Sequence, residues 1–164
     1  MDESRENMTN GDAPGLSNRT FPTSVWHPEK EERNYPLVIH SHGYVVSAGN
    51  YPLTAGGTLG GPNADDLVNQ PTDVSFLIDS LLQFSGSDKP FAGELDPSRI
   101  ALMGYSLGGI TTTLATYHPR LRDPRVAAAI SIAGPSAGLV SKFYETTDVP
   151  FMMIAGTLDA LIDF

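Results

Sequence analysis

Arg99-Ile100-Ala101-Leu102-Met103-Gly104-Tyr105-Ser106-Leu107-Gly108-Gly109 is the stretch on which the reading turns. Ile100 to Met103 is short and apolar and follows Asp96-Pro97-Ser98. That is the pattern of a fully buried strand rather than of a helix of adequate length. Ile110 to Tyr117 then reads as a helix. A Gly-x-Ser-x-Gly string between strand and helix is a nucleophile elbow, a sharp turn in strained backbone geometry that lifts the serine hydroxyl clear of the sheet. Glycine is needed at 104 and 108 because a side chain at either would clash across the turn. The amide of Leu107, opening the helix, points into the same space and can donate to a developing oxyanion. Glycine is frequent here, 16 of 164 residues, so the string alone is weak; its place between strand and helix gives it meaning.

Outward from that turn, length and composition bound the answer. A chain of 164 residues with 40% hydrophobic and 18% charged residues is one domain with a single core. No stretch approaches a membrane span. The formal net charge of -9 repels nucleic acid phosphates and anionic lipid, so neither is an expected partner. The absence of cysteine excludes disulfides, thiol catalysis and thiolate metal sites without identifying a compartment. Met1 to Asn18 is polar and has no apolar core of a signal peptide, which makes cytoplasmic the default while leaving export of a parent protein open.

Residues 1–18 are rich in Asp, Glu, Asn, Gly and Ser and are expected to be a disordered or loosely attached tail, with an ordered domain over 19–164. Thr20 to Trp26 reads as an outer strand, Leu37 to Ser41 as the next, and Tyr44 to Ala48 as strand-like again. Pro71 suits the first turn of a helix running from Thr72 to about Phe84, whose apolar face is Val74, Leu77, Ile78, Leu81 and Leu82. The helix after Ser106 should stop at His118-Pro119. Val126 to Ala133 and Phe151 to Ala155 complete the strands. Strands alternating with helices predict an α/β fold with a mostly parallel sheet flanked by helices.

A serine hydroxyl is a poor nucleophile until a histidine takes its proton and a carboxylate orients that histidine. Asp159 is the expected acid: it lies past Phe151 to Ala155 and the turn Gly156-Thr157-Leu158, beyond a strand's carboxyl end, where such sheets place their sites. A turn acid or helix cap is the alternative for Asp159, and Asp163 is a rival on the same segment. No histidine follows Asp159. His27, His40 and His118 read as surface or core residues. Ser41-His42-Gly43 ends a strand, and Gly43 allows backbone to approach a substrate closely.

Pro36 to Gly43, Tyr51 to Thr54, Asp66 to Phe76, the Gly-Tyr-Ser-Leu-Gly-Gly elbow and Ala155 to Asp159 together resemble the α/β-hydrolase superfamily, nearest the dienelactone-hydrolase-like and platelet-activating-factor-acetylhydrolase-like esterases. The resemblance implies Ser106 as nucleophile and Asp159 as acid, in the chain order Ser, Asp, His. It implies an oxyanion hole from the amides of Leu107 and Tyr44, with His42, Gly43 and Tyr105 at the substrate. It implies no cofactor and no metal. Relatives continue past the acid to a further strand and the histidine, and they place a helix between the strand ending in His-Gly and the next one. Here only His42-Gly43-Tyr44 intervenes, whereas a parallel crossover takes a dozen residues or more. Leu37 to Ser41 and Val45 to Ala48 must then form a hairpin, run on as one long strand, or have lost their connecting helix; the expectation adopted is the last, an incomplete α/β-hydrolase domain shortened near Gly43 and lacking the C-terminal part.

Two functions compete. One is a serine ester hydrolase acting on a small-molecule carboxylic ester with an apolar acyl group, impaired here for want of a histidine. The other is a non-catalytic fragment that keeps a ligand pocket, whose exposed sheet edge would favour self-association. Phosphate binding by Gly56-Gly57 and Gly60-Gly61 lacks the Lys and the strand-to-helix setting of a P-loop.

Overall fold

The structure, a computed structural model, describes residues 1–20, 22–27, 34–42, 51, 53–54, 60, 63–85, 95–136 and 139–160. Its centre is a sheet of four parallel strands, β1 (Tyr35–Ser41), β2 (Leu95–Tyr105), β3 (Val126–Ile132) and β4 (Phe151–Ile154), in the order β1-β2-β3-β4. Helix α1 (Gln70–Phe84) precedes β2, and helix α2 (Leu107–Tyr117) joins β2 to β3. Short 3-10 turns cover Ala64–Val68 and Ser141–Thr146. The α/β class with a parallel sheet is therefore as expected.

Alternation decides which side of the sheet is filled. Leu37 and Ile39 of β1, Ile100 and Leu102 of β2, and Val126 and Ala129 of β3 point inward with Val74, Ile78 and Leu81 of α1 and Ala115 of α2. Val74, Ile78 and Ile100 are completely enclosed, each contributing roughly 1.5–3 kcal/mol. The register shifts between Ile100 and Ala101, so that Ile100 pairs with Val126 and Ala101 with Ala128. The extra residue, Ala127, is exposed, and the bulge keeps Val126 and Ala129 both on the core side. On the opposite face Val38, His40 and Tyr105 are exposed, and at the outer strand Met152 and Ile154 are exposed as well. None of the described helices covers that face.

Several boundaries differ from expectation. β2 begins at Leu95, but its opening is irregular: Ser98 donates through its amide and hydroxyl to Asp96 Oδ1 (2.9 and 2.6 Å), and the regular ladder with β1 starts at Ile100. Thr20 and residues 22–27 form no strand, contrary to the sequence expectation, and Trp26 is exposed. β-branched and aromatic residues favour a strand only where a neighbouring edge takes their hydrogen bonds, so propensity alone does not make one. The strand expected at Tyr44 to Ala48 lies outside the described residues. α2 ends as expected before Pro119, with His118 in extended backbone.

Residues 1–18, expected to be loose, fold back as a looped ribbon with antiparallel bridges Asp2–Arg19, Asn7–Leu16 and Asn10–Ala13. Charge holds it down. Arg19, almost wholly buried, donates to both carboxylate oxygens of Asp73 at 2.7 Å and to Asp66 at 2.7 Å, while Arg5 reaches Asp2 and Asp73 at 2.6 Å. Burial works against the Arg19 charge, but the hydrogen bonds to Asp73 and Asp66 outweigh it and hold its pKa above the ordinary guanidinium value. Removing one member of such a set strands the others, at about 3–5 kcal/mol.

Candidate active site at the carboxyl end of the sheet

Ser106 occupies the turn between β2 and α2 with φ 53° and ψ -120°. A left-handed φ is uncommon for any residue but glycine and costs roughly 1–3 kcal/mol unless the surroundings fix it. Here they do. The Ser106 amide donates to the carbonyl of Ile132 on β3 (2.9 Å), and its carbonyl accepts from the Gly109 amide (2.8 Å).

The glycines are required by contact as well as by conformation. A Cβ at Gly104 would land on the carbonyl of Gly108, and one at Gly108 on the carbonyl of Ser41 and within 2.6 Å of the His42 carbonyl oxygen. One at Gly109 would come within 2.6 Å of Ser131 Oγ. α2 thus lies with its first turn directly on the end of β1. The hydroxyls of Thr112 and Ser131, packed into the same contact, are buried with no hydrogen-bond partner among the described residues, at roughly 1–3 kcal/mol each. Leu107 is the first residue of α2, so its amide is among those with no carbonyl to bond inside the helix.

The other expected residues follow the same edge. Tyr105 pairs with Ile132 and Ile132 with Ile154, so the ends of β2, β3 and β4 stand level. Asp159 lies five residues past Ile154, and its amide donates back to the Gly156 carbonyl (3.1 Å), closing the turn that carries it. Its side chain is half-buried. Ser106 and Asp159 thus follow strands two places apart, about 10 Å between strand axes. Tyr105 is exposed on the sheet's open side.

His42, expected at the substrate, is the last described residue after β1. Its ring is buried, stacks on Tyr51 with centroids 5.5 Å apart, and its Nε2 accepts the Tyr51 amide (3.2 Å). His42 thus packs against Tyr51 beside the end of β1. Gly43 and Tyr44, the latter the second expected oxyanion donor, lie outside the described residues.

The remaining histidines stand elsewhere. His118 closes the far end of α2, roughly 18 Å along the helix from Ser106, and its Nδ1 accepts the amides of Arg120 and Leu121 (both 3.2 Å). His40 is exposed and pairs with Met103, three residues short of Ser106. Partial desolvation of its ring, with the neighbouring His42, pulls its pKa below the usual imidazole value.

Sequence reading missed a polar group beneath this edge. Gln70, fully buried, donates through Nε2 to Thr54 Oγ1 (3.0 Å) and accepts from Thr111 Oγ1 on α2. Tyr51 meets Ser41 hydroxyl to hydroxyl (2.6 Å), and burial raises the pKa of its phenol. A signal existed: Gln70 and Asp73 fall in helical phase with Val74, Leu77, Ile78 and Leu81, so two polar side chains share the face that enters the core. Among the described residues no group of three or more His, Asp or Glu is arranged to hold a metal ion, and no helix is long and apolar enough to cross a membrane.

No protein-family model matches the chain, and no curated protein does. Among solved structures it is similar to a ferulic acid esterase from Streptomyces cinnamoneus, with 20% identity and a TM-score of 0.50. The match covers 73% of this chain and 42% of that one, so the chain spans about two fifths of the esterase's length. The likeness is one of fold: the chain has an α/β architecture, a parallel sheet with helices, shared with part of that esterase.

Proposed function

We propose that the chain carries the nucleophile-bearing part of a serine ester hydrolase. In this reading Ser106 Oγ attacks the carbonyl carbon of a carboxylic ester, the alcohol leaves, and the acyl-enzyme is released by water. The amides of Leu107 and Tyr44 hold the oxyanion, Asp159 orients a histidine, and the exposed Tyr105 ring with Leu107 and Gly43 flanks an apolar acyl group. The observation that carries the reading is the left-handed backbone of Ser106, packed where no Cβ fits at Gly104 or Gly108. A serine that needed only to cap a helix would sit in extended backbone. The fold shared with an esterase supports it more weakly.

Among the described histidines, His42 and His118 each use a ring nitrogen to accept backbone amides. Turnover by these 164 residues alone is therefore expected to be slow. The same observation favours a second reading, in which the chain binds an ester without cleaving it. Prolonged exposure to a fluorophosphonate, with the modified residue mapped by mass spectrometry, tests the nucleophile: the chain is modified at Ser106, and Ser106→Ala is not. Equal modification of the two removes the hydrolase reading.

A further inference from the structure

The helix that carries the Ser106 elbow packs its first turn against the end of β1, and the placement of the elbow depends on how far apart the two are held. Direct contact sets one limit, because Gly108 lies on the carbonyls of Ser41 and His42. Contact stops the two from approaching but does not stop them from parting.

A buried polar chain ties them together. Ser41 and His42 are held by Tyr51, through its hydroxyl (2.6 Å) and its amide (3.2 Å). The Tyr51 carbonyl accepts the Thr54 amide (3.3 Å), and Thr54 Oγ1 accepts from Gln70 Nε2 (3.0 Å). Gln70 Oε1 in turn accepts from Thr111 Oγ1, one turn into α2, and the same hydroxyl lies 3.2 Å from the Leu107 carbonyl. Thr54, Gln70 and Thr111 are all fully buried, so no water replaces a lost link and each unpaired group keeps its full desolvation cost.

We propose that Gln70 is a positioning residue for the Ser106 elbow. With its amide nitrogen on the 51–54 segment and its amide oxygen on α2, it fixes the separation between the end of β1 and the start of the elbow helix. It thereby sets where the Ser106 turn and the Leu107 amide stand against the end of β1. A glutamine suits this task because one rigid planar group donates in one direction and accepts in the other. The proposal rests on the hydrolase reading above and adds to it a residue that touches no substrate.

The test compares phosphonylation rates of the full chain, as a function of probe concentration and well below each variant's melting midpoint. Thr111→Val keeps the shape and removes the hydroxyl. Thr111→Ser keeps the hydroxyl, and Thr54→Val breaks the link from the other side. Thr111→Val and Thr54→Val should each lower the limiting rate roughly tenfold with little change in the half-saturating concentration, since small misplacements act on the reacting geometry; Thr111→Ser should restore most of the rate. Measuring both valine variants keeps the test decisive if one fails to fold. Wild-type limiting rates in folded valine variants, even with lowered melting midpoints, would overturn the positioning role and leave the nucleophile reading intact. A wild-type chain modified no faster than Ser106→Ala would remove both, and is recognised by the absence of any Ser106-dependent signal.

Discussion

The turns after β2 and β4 occupy equivalent places at the same end of one sheet, yet they are built to different standards. Ser106 follows a strand flanked by β1 and β3, with Ile100 and Leu102 enclosed beneath α2. Its turn is fixed by glycine contacts and by bonds to β3 and to Gly109. Asp159 follows an outer strand whose Met152, Met153 and Ile154 are exposed, and Leu158 beside it is 96% exposed. What fixes the position of a group is the number of independent constraints on its backbone. A strained φ persists at Ser106 because many contacts oppose its relaxation, whereas at the Asp159 turn Leu158 is exposed and Gly156 has room for a Cβ.

The sharpest way to break that contrast is to force an atom into the elbow. Gly108→Ala places a methyl on the Ser41 carbonyl, and a destabilisation of about 3 kcal/mol or more is expected by denaturant titration. Gly156→Ala, in the turn before Asp159, meets nothing closer than 3.8 Å and should change stability by less than about 0.5 kcal/mol. Comparable losses in the two would deny that the turns differ.

Truncation of the strands sharpens the same point. Leu102→Ala removes an enclosed side chain and should cost about 2–5 kcal/mol. Met152→Ala, on the exposed outer strand, should cost well under half as much. Ser106→Gly runs the other way, since glycine accepts the left-handed backbone freely; a gain of up to about 1 kcal/mol in stability is expected, together with loss of probe modification. If Ser106→Gly is less stable than Ser106→Ala, the backbone at 106 is not strained.

The smallest effect is electrostatic and distant from both turns. Burial of Asp2 opposes its charge, but hydrogen bonds from Ser4 and Arg5 outweigh it and hold its pKa below the usual carboxylate value. The folded state binds this proton less readily than the unfolded chain, so the contribution is complete above about pH 4 and is lost as pH falls through the lowered value. Hydrogen exchange of the Asp2 and Arg19 amides, which bridge to each other's carbonyls at 2.8 and 2.9 Å, should lose protection in that acidic window before the amides of β2 do. Loss of both together would mean that the ribbon and the sheet unfold as one unit.

The sequence alone determined the parts governed by local pattern and by near neighbours. Val74, Leu77, Ile78 and Leu81 announce a helix with one buried face, His118-Pro119 announces where α2 ends, and Gly104 and Gly108 flank Ser106 at the spacing of a sharp strand-to-helix turn. Tertiary structure decided what depends on partners far away in the chain. Arg5 reads as a tail residue until Asp73 meets it, Thr20 to Trp26 reads as a strand although its described residues form none, and the polar side chain of Gln70 goes unremarked until Thr54 and Thr111 close on either side. Periodicity records which face of an element is buried. It does not record which polar groups from other elements will arrive there, because that depends on the packed arrangement of the elements and not on the order of residues within any one of them.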